Sequence, residues 1–97
     1  MSINAYRMRQ NILESESATF DVGHDRKFVE FLNQEIQFYM SLNSYGTGIV
    51  DVPVELLEKA VGSAEEFALD EDTIEQIKID ITVAKSHKDE VVTYYCF

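Results

Sequence analysis

The sequence predicts an α+β domain with two main helices packed on a small antiparallel sheet that includes a C-terminal β-hairpin. Three observations predict it. Apolar residues recur at helical spacing across 25–42, a second helical stripe opens behind the chain's only proline, and two β-rich runs, the first of them alternating, follow near the C-terminus. Ninety-seven residues with four glycines, one proline and a 45% hydrophobic composition suit one globular domain, 1–97, rather than a disordered or low-complexity chain.

The first helix is the clearest element. Phe28, Phe31, Leu32, Ile36, Tyr39 and Leu42 fall at three- and four-residue steps, with Asp25 placed to cap the start and Asn43-Ser44-Tyr45-Gly46-Thr47-Gly48 supplying the stop. Val29 and Phe38 lie off that stripe, so the helix is apolar over a wide arc and belongs at the centre of the core. A second helix is expected over 53–68, because Pro53 suits a first helical position and Leu57, Ala60, Val61, Ala64 and Phe67 form its stripe. Gly62-Ser63 interrupts that stripe. Ser63 and Glu66 have capping-box spacing, which lets the helix restart at 64.

The stretch 77–83, Ile-Lys-Ile-Asp-Ile-Thr-Val, alternates with period two, while Ile74, Ile77, Ile81 and Ala84 also fit a helix. Its β-branched density and the second run, Val91–Phe97, after Ser86-His87-Lys88-Asp89 favour a hairpin. A third helix over 73–85 is the alternative and would make the fold mainly α. A two-stranded hairpin is marginal alone, so a third strand is expected from 48–52 or 18–22. The stretch from Ser2 to Leu13 fits a helix through Ala5, Met8 and Ile12 or a strand through Tyr6, Met8 and Ile12.

Charge is the strongest functional signal. Eighteen acids against eight bases give a net charge of -10, which opposes direct binding to nucleic-acid phosphates. The excess is local: residues 51–80 hold ten acids and two bases, and 65–75 hold six acids and no base. Carboxylates so close stay solvated, face helix N-termini or meet a cationic partner. On the plainest reading this is a solubilising helix face with Asp72 as a cap. On the sharper one, Glu58, Glu65, Glu66, Asp70, Glu71, Asp72 and Glu75 form a surface that masks a basic surface of a partner protein, such as one that binds nucleic acid, as inhibitors, immunity proteins and nucleic-acid mimics do. Such a surface also needs an apolar anchor, for which Tyr45, Tyr94 and Tyr95 are candidates that could equally be core or sheet residues.

Catalytic, metal and cofactor chemistry find little footing. His24, His87 and Cys96 lack any zinc-ligand spacing. Asp70–Glu75 resembles an EF-hand opening only superficially, with Glu75 where glycine must turn the chain and Ile81 where the bidentate glutamate belongs. Cys96 lies between Tyr95 and Phe97 with no evident activating group, and is read as a small buried hydrophobe. Both histidines are read as exposed, and the Tyr45–Gly48 glycines as turn residues. No enzyme activity, metal or cofactor is expected. A lone cysteine, an N-terminal Met1–Arg7 without a secretory h-region and no apolar run of membrane-spanning length point to the cytoplasm and away from a membrane. The competing expectation is a self-associating structural or scaffold subunit, a homodimer through Val91–Phe97 if that strand is an edge.

Overall fold

A computed structural model describes residues 2–97; Met1 lies outside the described residues. Strand β1 (Asn4–Arg9) turns at once into β2 (Ile12–Leu13) and is followed by β3 (Phe20–Asp21), helix α1 (Arg26–Ile36), a 3-10 turn (Phe38–Ser41), β4 (Gly48–Pro53), helices α2 (Val54–Gly62) and α3 (Glu71–Ser86), and β5 (Val91–Cys96). The sheet is antiparallel in the order β2-β1-β5-β4, with β3 also on β1. The expected α+β class is the one found.

Registers of β1 explain the N-terminal hairpin. Gln10 and Asn11 both take positive φ (53° and 64°), the left-handed pair a two-residue hairpin turn requires, and they join Arg9 to its partner Ile12. Within Ser2–Leu13, then, the strand alternative holds, as two strands and a turn, and the helical one does not. Beyond Leu13 the chain bulges away and returns at Thr19, whose N–H donates to the Ala5 carbonyl at 2.8 Å. Both candidate third strands exist, one within 18–22 as β3 and the other as β4.

The central helix is shorter than its apolar stripe. Gln37 adopts φ 55°, its N–H returns to the Asn33 carbonyl at 2.9 Å, and the Asn33 side-chain oxygen accepts from Tyr39 N–H, so residues 38–41 form a tight turn that still buries Phe38. Asp25 precedes the helix, but its carboxylate accepts from the Asp21 N–H at 2.9 Å rather than from the helix itself. The second helix also ends early. Gly62 closes α2, and 63–68 form turns in which Ser63 accepts from Glu66 through its backbone carbonyl, so the capping box at 63–66 does not form and the helix does not restart at 64.

The main correction concerns 77–83, which lie inside α3 and not in a strand. The Asp70 carboxylate accepts from the Thr73 N–H at 2.8 Å, Glu71 and Asp72 occupy the positive first turn, and Lys85 sits in the last. Thr73, Ile77, Asp80 and Ala84 are the buried stripe, a helical spacing that contains one charged residue. Strand β5 accordingly has no hairpin partner in 77–83; it pairs β1 on one side and β4 on the other. It is a central strand, which removes the edge on which dimerisation through Val91–Phe97 depends. The outer strand is β4, and it is blunted. Its start is tied by a bridge between Leu42 and Gly48, it carries Asp51, and Pro53 at its end has no N–H. A Cβ at Gly48 would run into the Ser41 carbonyl, so that close approach admits glycine alone.

Three helices cover one sheet face only. Ala5, Val50, Val52, Val92, Tyr94 and Cys96 alternate inward and join Phe20, Phe28, Leu32, Leu57 and Ile77 in one buried cluster. By the same registers, Tyr6, Met8, Leu13, Ile49, Val91, Thr93, Tyr95 and Phe97 project from the opposite face; none of them belongs to that cluster, and of the eight only Met8 is buried.

Candidate functional site

All seven carboxylates expected to bind a partner are exposed. They gather around the corner where α2 gives way to α3. Glu65 and Glu66 lie in the connecting turns, Asp70 is the N-cap of α3, Glu71 and Asp72 lie in its first turn, and Glu75 follows one turn on. Glu58 is separate in character, because α2 presents it to Lys85 of α3 at 2.9 Å and the pair bridges the two helices. The other six form no ion pair with a Lys or Arg among the described residues. The cap is Asp70 rather than Asp72; the Thr73 N–H and hydroxyl hold its carboxyl below the ordinary value of 3.8, with His24 adding a smaller pull. Asp70, Glu71 and Asp72 thus also serve the helix, by complementing its N-terminal dipole. Glu65, Glu66 and Glu75 have no such duty.

The densest polar constellation lies elsewhere and was not visible in the sequence. Asp80 is fully buried on α3 and accepts from the Arg7 Nη1 at 2.7 Å, the Thr19 hydroxyl at 2.6 Å, the Tyr94 hydroxyl at 2.7 Å and, more weakly, the Gln76 amide at 3.4 Å. Arg7 reaches on to Glu14 at 3.2 Å. One carboxylate therefore ties β1, the return to β3, α3 and β5 together. Burial first, and then the neighbouring Asp80 charge, push the Tyr94 hydroxyl well above its ordinary value of 10, so Tyr94 stays protonated and donates. No buried side-chain nitrogen or oxygen among the described residues lacks a partner. The satisfied cluster holds four elements in register, and its Arg7–Glu14 end borders a cleft. Arg7 and Thr19 stand 73 and 61 residues from Asp80, so no local motif spacing could announce it. The one sequence signal was an aspartate on the helical stripe Thr73-Ile77-Asp80-Ala84.

The candidate anchors separate in the same way. Tyr94 is core, Tyr45 is exposed in the loop before β4, and Tyr95 lies on the uncovered sheet face. The Tyr45–Gly48 segment is turn structure: the Asn43 side chain accepts from Tyr45 and Thr47, and Gly46 takes φ 82°. His24 and His87 are exposed. Cys96 is buried, and burial pushes its thiol up to about 12, which keeps it protonated and unreactive at neutral pH.

A cleft of about 410 Å³ opens where the β1–β2 hairpin parts from β5 beneath the end of α3. Its arginines already have carboxylate partners, Arg7 in Asp80 and Glu14, and Arg9, through its Nε, in Asp89 at 3.1 Å, while Lys88 lines the cleft as well. No group of three or more His, Cys, Asp or Glu side chains converges to hold a metal among the described residues. No helix there is long and apolar enough to cross a membrane. Set against protein-family models, curated proteins and solved structures, the chain matches none of them, so its functional reading rests on its own residues.

Proposed function

We propose that the protein is a non-catalytic cytoplasmic binding module that masks a basic surface of a partner protein with the acidic corner between α2 and α3, as inhibitor, immunity and nucleic-acid-mimic proteins do. One observation carries this reading. Six carboxylates within eleven residues, Glu65 to Glu75, are exposed and unmatched by any Lys or Arg of the chain's described residues. Their mutual repulsion is relieved by solvent and, for three of them, by the helix N-terminus; a Lys- or Arg-rich surface would relieve it further and gain association rate and selectivity. The cytoplasmic assignment draws on the single buried cysteine, which leaves no intramolecular disulfide to form.

The test separates masking from helix capping. Glu65→Lys, Glu66→Lys and Glu75→Lys, made together, reverse charge at three exposed positions outside the Asp70 cap. Capture from a lysate of the source cell at low and raised salt identifies the partner, and titration then compares parent and variant. The reading expects a basic partner, salt-sensitive binding and at least about a tenfold loss of affinity in the variant, with its thermal midpoint kept. Equal affinity of parent and variant overturns it.

A further inference from the structure

The uncovered face of the sheet is unlike the rest of the surface. Registers place Tyr6 opposite Tyr95 and Met8 opposite Thr93 across β1 and β5, and Ile49 opposite Tyr95 across β5 and β4. Phe97 stacks on Tyr6 with ring centres 4.9 Å apart and tilts against Tyr95 at 4.8 Å, so three aromatic rings form one continuous patch. Around it, Ile49 is 53% exposed, Phe97 45% and Leu13 42%. Folding covers none of this with a helix.

Charge on that face narrows what can cover it. The strand positions facing outward hold two ionisable acids, Asp21 and Asp51, and Asp51 is engaged by the Thr93 hydroxyl at 2.6 Å. They hold no Lys or Arg. An anionic lipid surface or an acidic protein would find no cation there, and a basic partner is drawn to the helix layer, on the far side of the sheet, where the acidic corner lies. A nearly neutral aromatic patch on a chain of net charge -10 suits an equally neutral, apolar surface. The surface available in equal amount is the same patch on another copy.

We propose that two copies of this chain pair through the outer sheet face, around Tyr6, Tyr95 and Phe97, in a two-fold contact that leaves both acidic corners outside. Such a contact is isologous, each ring cluster meeting its own equivalent. Three strands of six residues and one of two, at about 4.8 Å between strands and about 3.4 Å per residue, give a footprint of about 330 Å² per copy. A standard stable interface buries about 800 Å² of accessible surface per partner. The dimer is accordingly weak, with a dissociation constant on the order of 10 µM or higher. Twofold pairing at this face does not rest on the masking reading, and it doubles the number of acidic corners if both hold.

Sedimentation of the full chain from about 1 µM to about 1 mM, at low and raised salt, tests it. The expected result is a concentration-dependent dimer that raised salt preserves or tightens, because two copies of like net charge repel and salt screens that repulsion. This is opposite to the salt response of the masking contact, so the two readings fail separately. Ile49→Thr with Phe97→Ser removes apolar surface outside the core and is expected to weaken dimerisation about tenfold or more while circular dichroism and the thermal midpoint hold. Concentration-dependent amide shifts are expected at residues 6, 49, 93 and 95. A chain that stays monomeric over the whole range overturns the proposal, as does a dimer unaffected by the double substitution or one whose shifts map to α2 and α3. Should the double variant misfold, Tyr95→Ser alone gives the same readout.

Discussion

The two faces of the sheet invert the usual placement of residues. The face under the helices buries a carboxylate and most of an arginine, whereas the open face leaves aromatic and branched apolar side chains in solvent. Both arrangements are consistent with physics, for different reasons. Asp80 tolerates burial because four donors replace water around it; Ile49 and Phe97 remain exposed because no element of the chain reaches them. The comparison shows that the buried side of this fold, mostly apolar, admits a charged group where that group finds partners, and that apolar groups stay exposed where the chain offers none.

The sharpest way to break the comparison is to remove a partner from the buried side. Arg7→Met leaves the Asp80 charge with neutral donors only and is expected to cost about 3–5 kcal/mol in denaturant unfolding. Pairing it with Asp80→Leu removes both charges, and the double variant is expected to recover much of that loss, measured as a coupling energy in a double-mutant cycle. A strictly additive cycle would show that the cluster is not one unit. Tyr94→Phe deletes one donor from the same carboxylate and should cost about 1–2 kcal/mol in the same assay.

A pH profile probes the cluster without mutation. The Tyr94 hydroxyl and the Cys96 thiol both have folded values raised by burial, so the folded state holds their protons more tightly than the unfolded chain. Their contribution is complete below the unfolded thiol value of 9.0 and is lost as pH rises from there toward about 12 for the thiol and higher for Tyr94. Stability measured by urea unfolding is thus expected to fall on the alkaline side of pH 9, and less steeply in Tyr94→Phe. The smallest effect belongs to the open face: Ile49→Thr alone should move unfolding free energy by no more than about 0.5 kcal/mol, since it vacates no core volume. A loss comparable to that of Arg7→Met would mean that the open face is part of the fold's stability after all.

Much of the fold was legible. The stripe through Phe28, Leu32 and Ile36 specified α1, the β-branched and aromatic run Val91–Phe97 specified β5, and Pro53 marked the entry to α2, because each signal is carried by neighbours within a few residues. The acidic corner was legible too, since charge density along a chain survives folding when every member stays exposed. What proved illegible was the state of 77–83. Ile77, Ile79, Ile81 and Val83 fit period two while Ile74, Ile77, Ile81 and Ala84 fit a helix, and an aspartate at the centre read as the polar phase of a strand. The cap from Asp70 to Thr73 favours the helix locally, but Arg7, Thr19 and Tyr94 are what make it acceptable to bury Asp80.

By itself, then, the sequence determined the α+β class, the apolar residues of α1 and α2, a strand at the C-terminus and a solvated concentration of carboxylates between them. Tertiary structure decided that this strand lies at the centre of the sheet, that 71–86 is a helix, that one aspartate is core while its neighbours are surface, and that an aromatic face stays open. The division follows from range: periodicity and capping act over a few residues, whereas hydrogen bonds between residues 61 and 73 positions apart exist only once the chain has closed on itself.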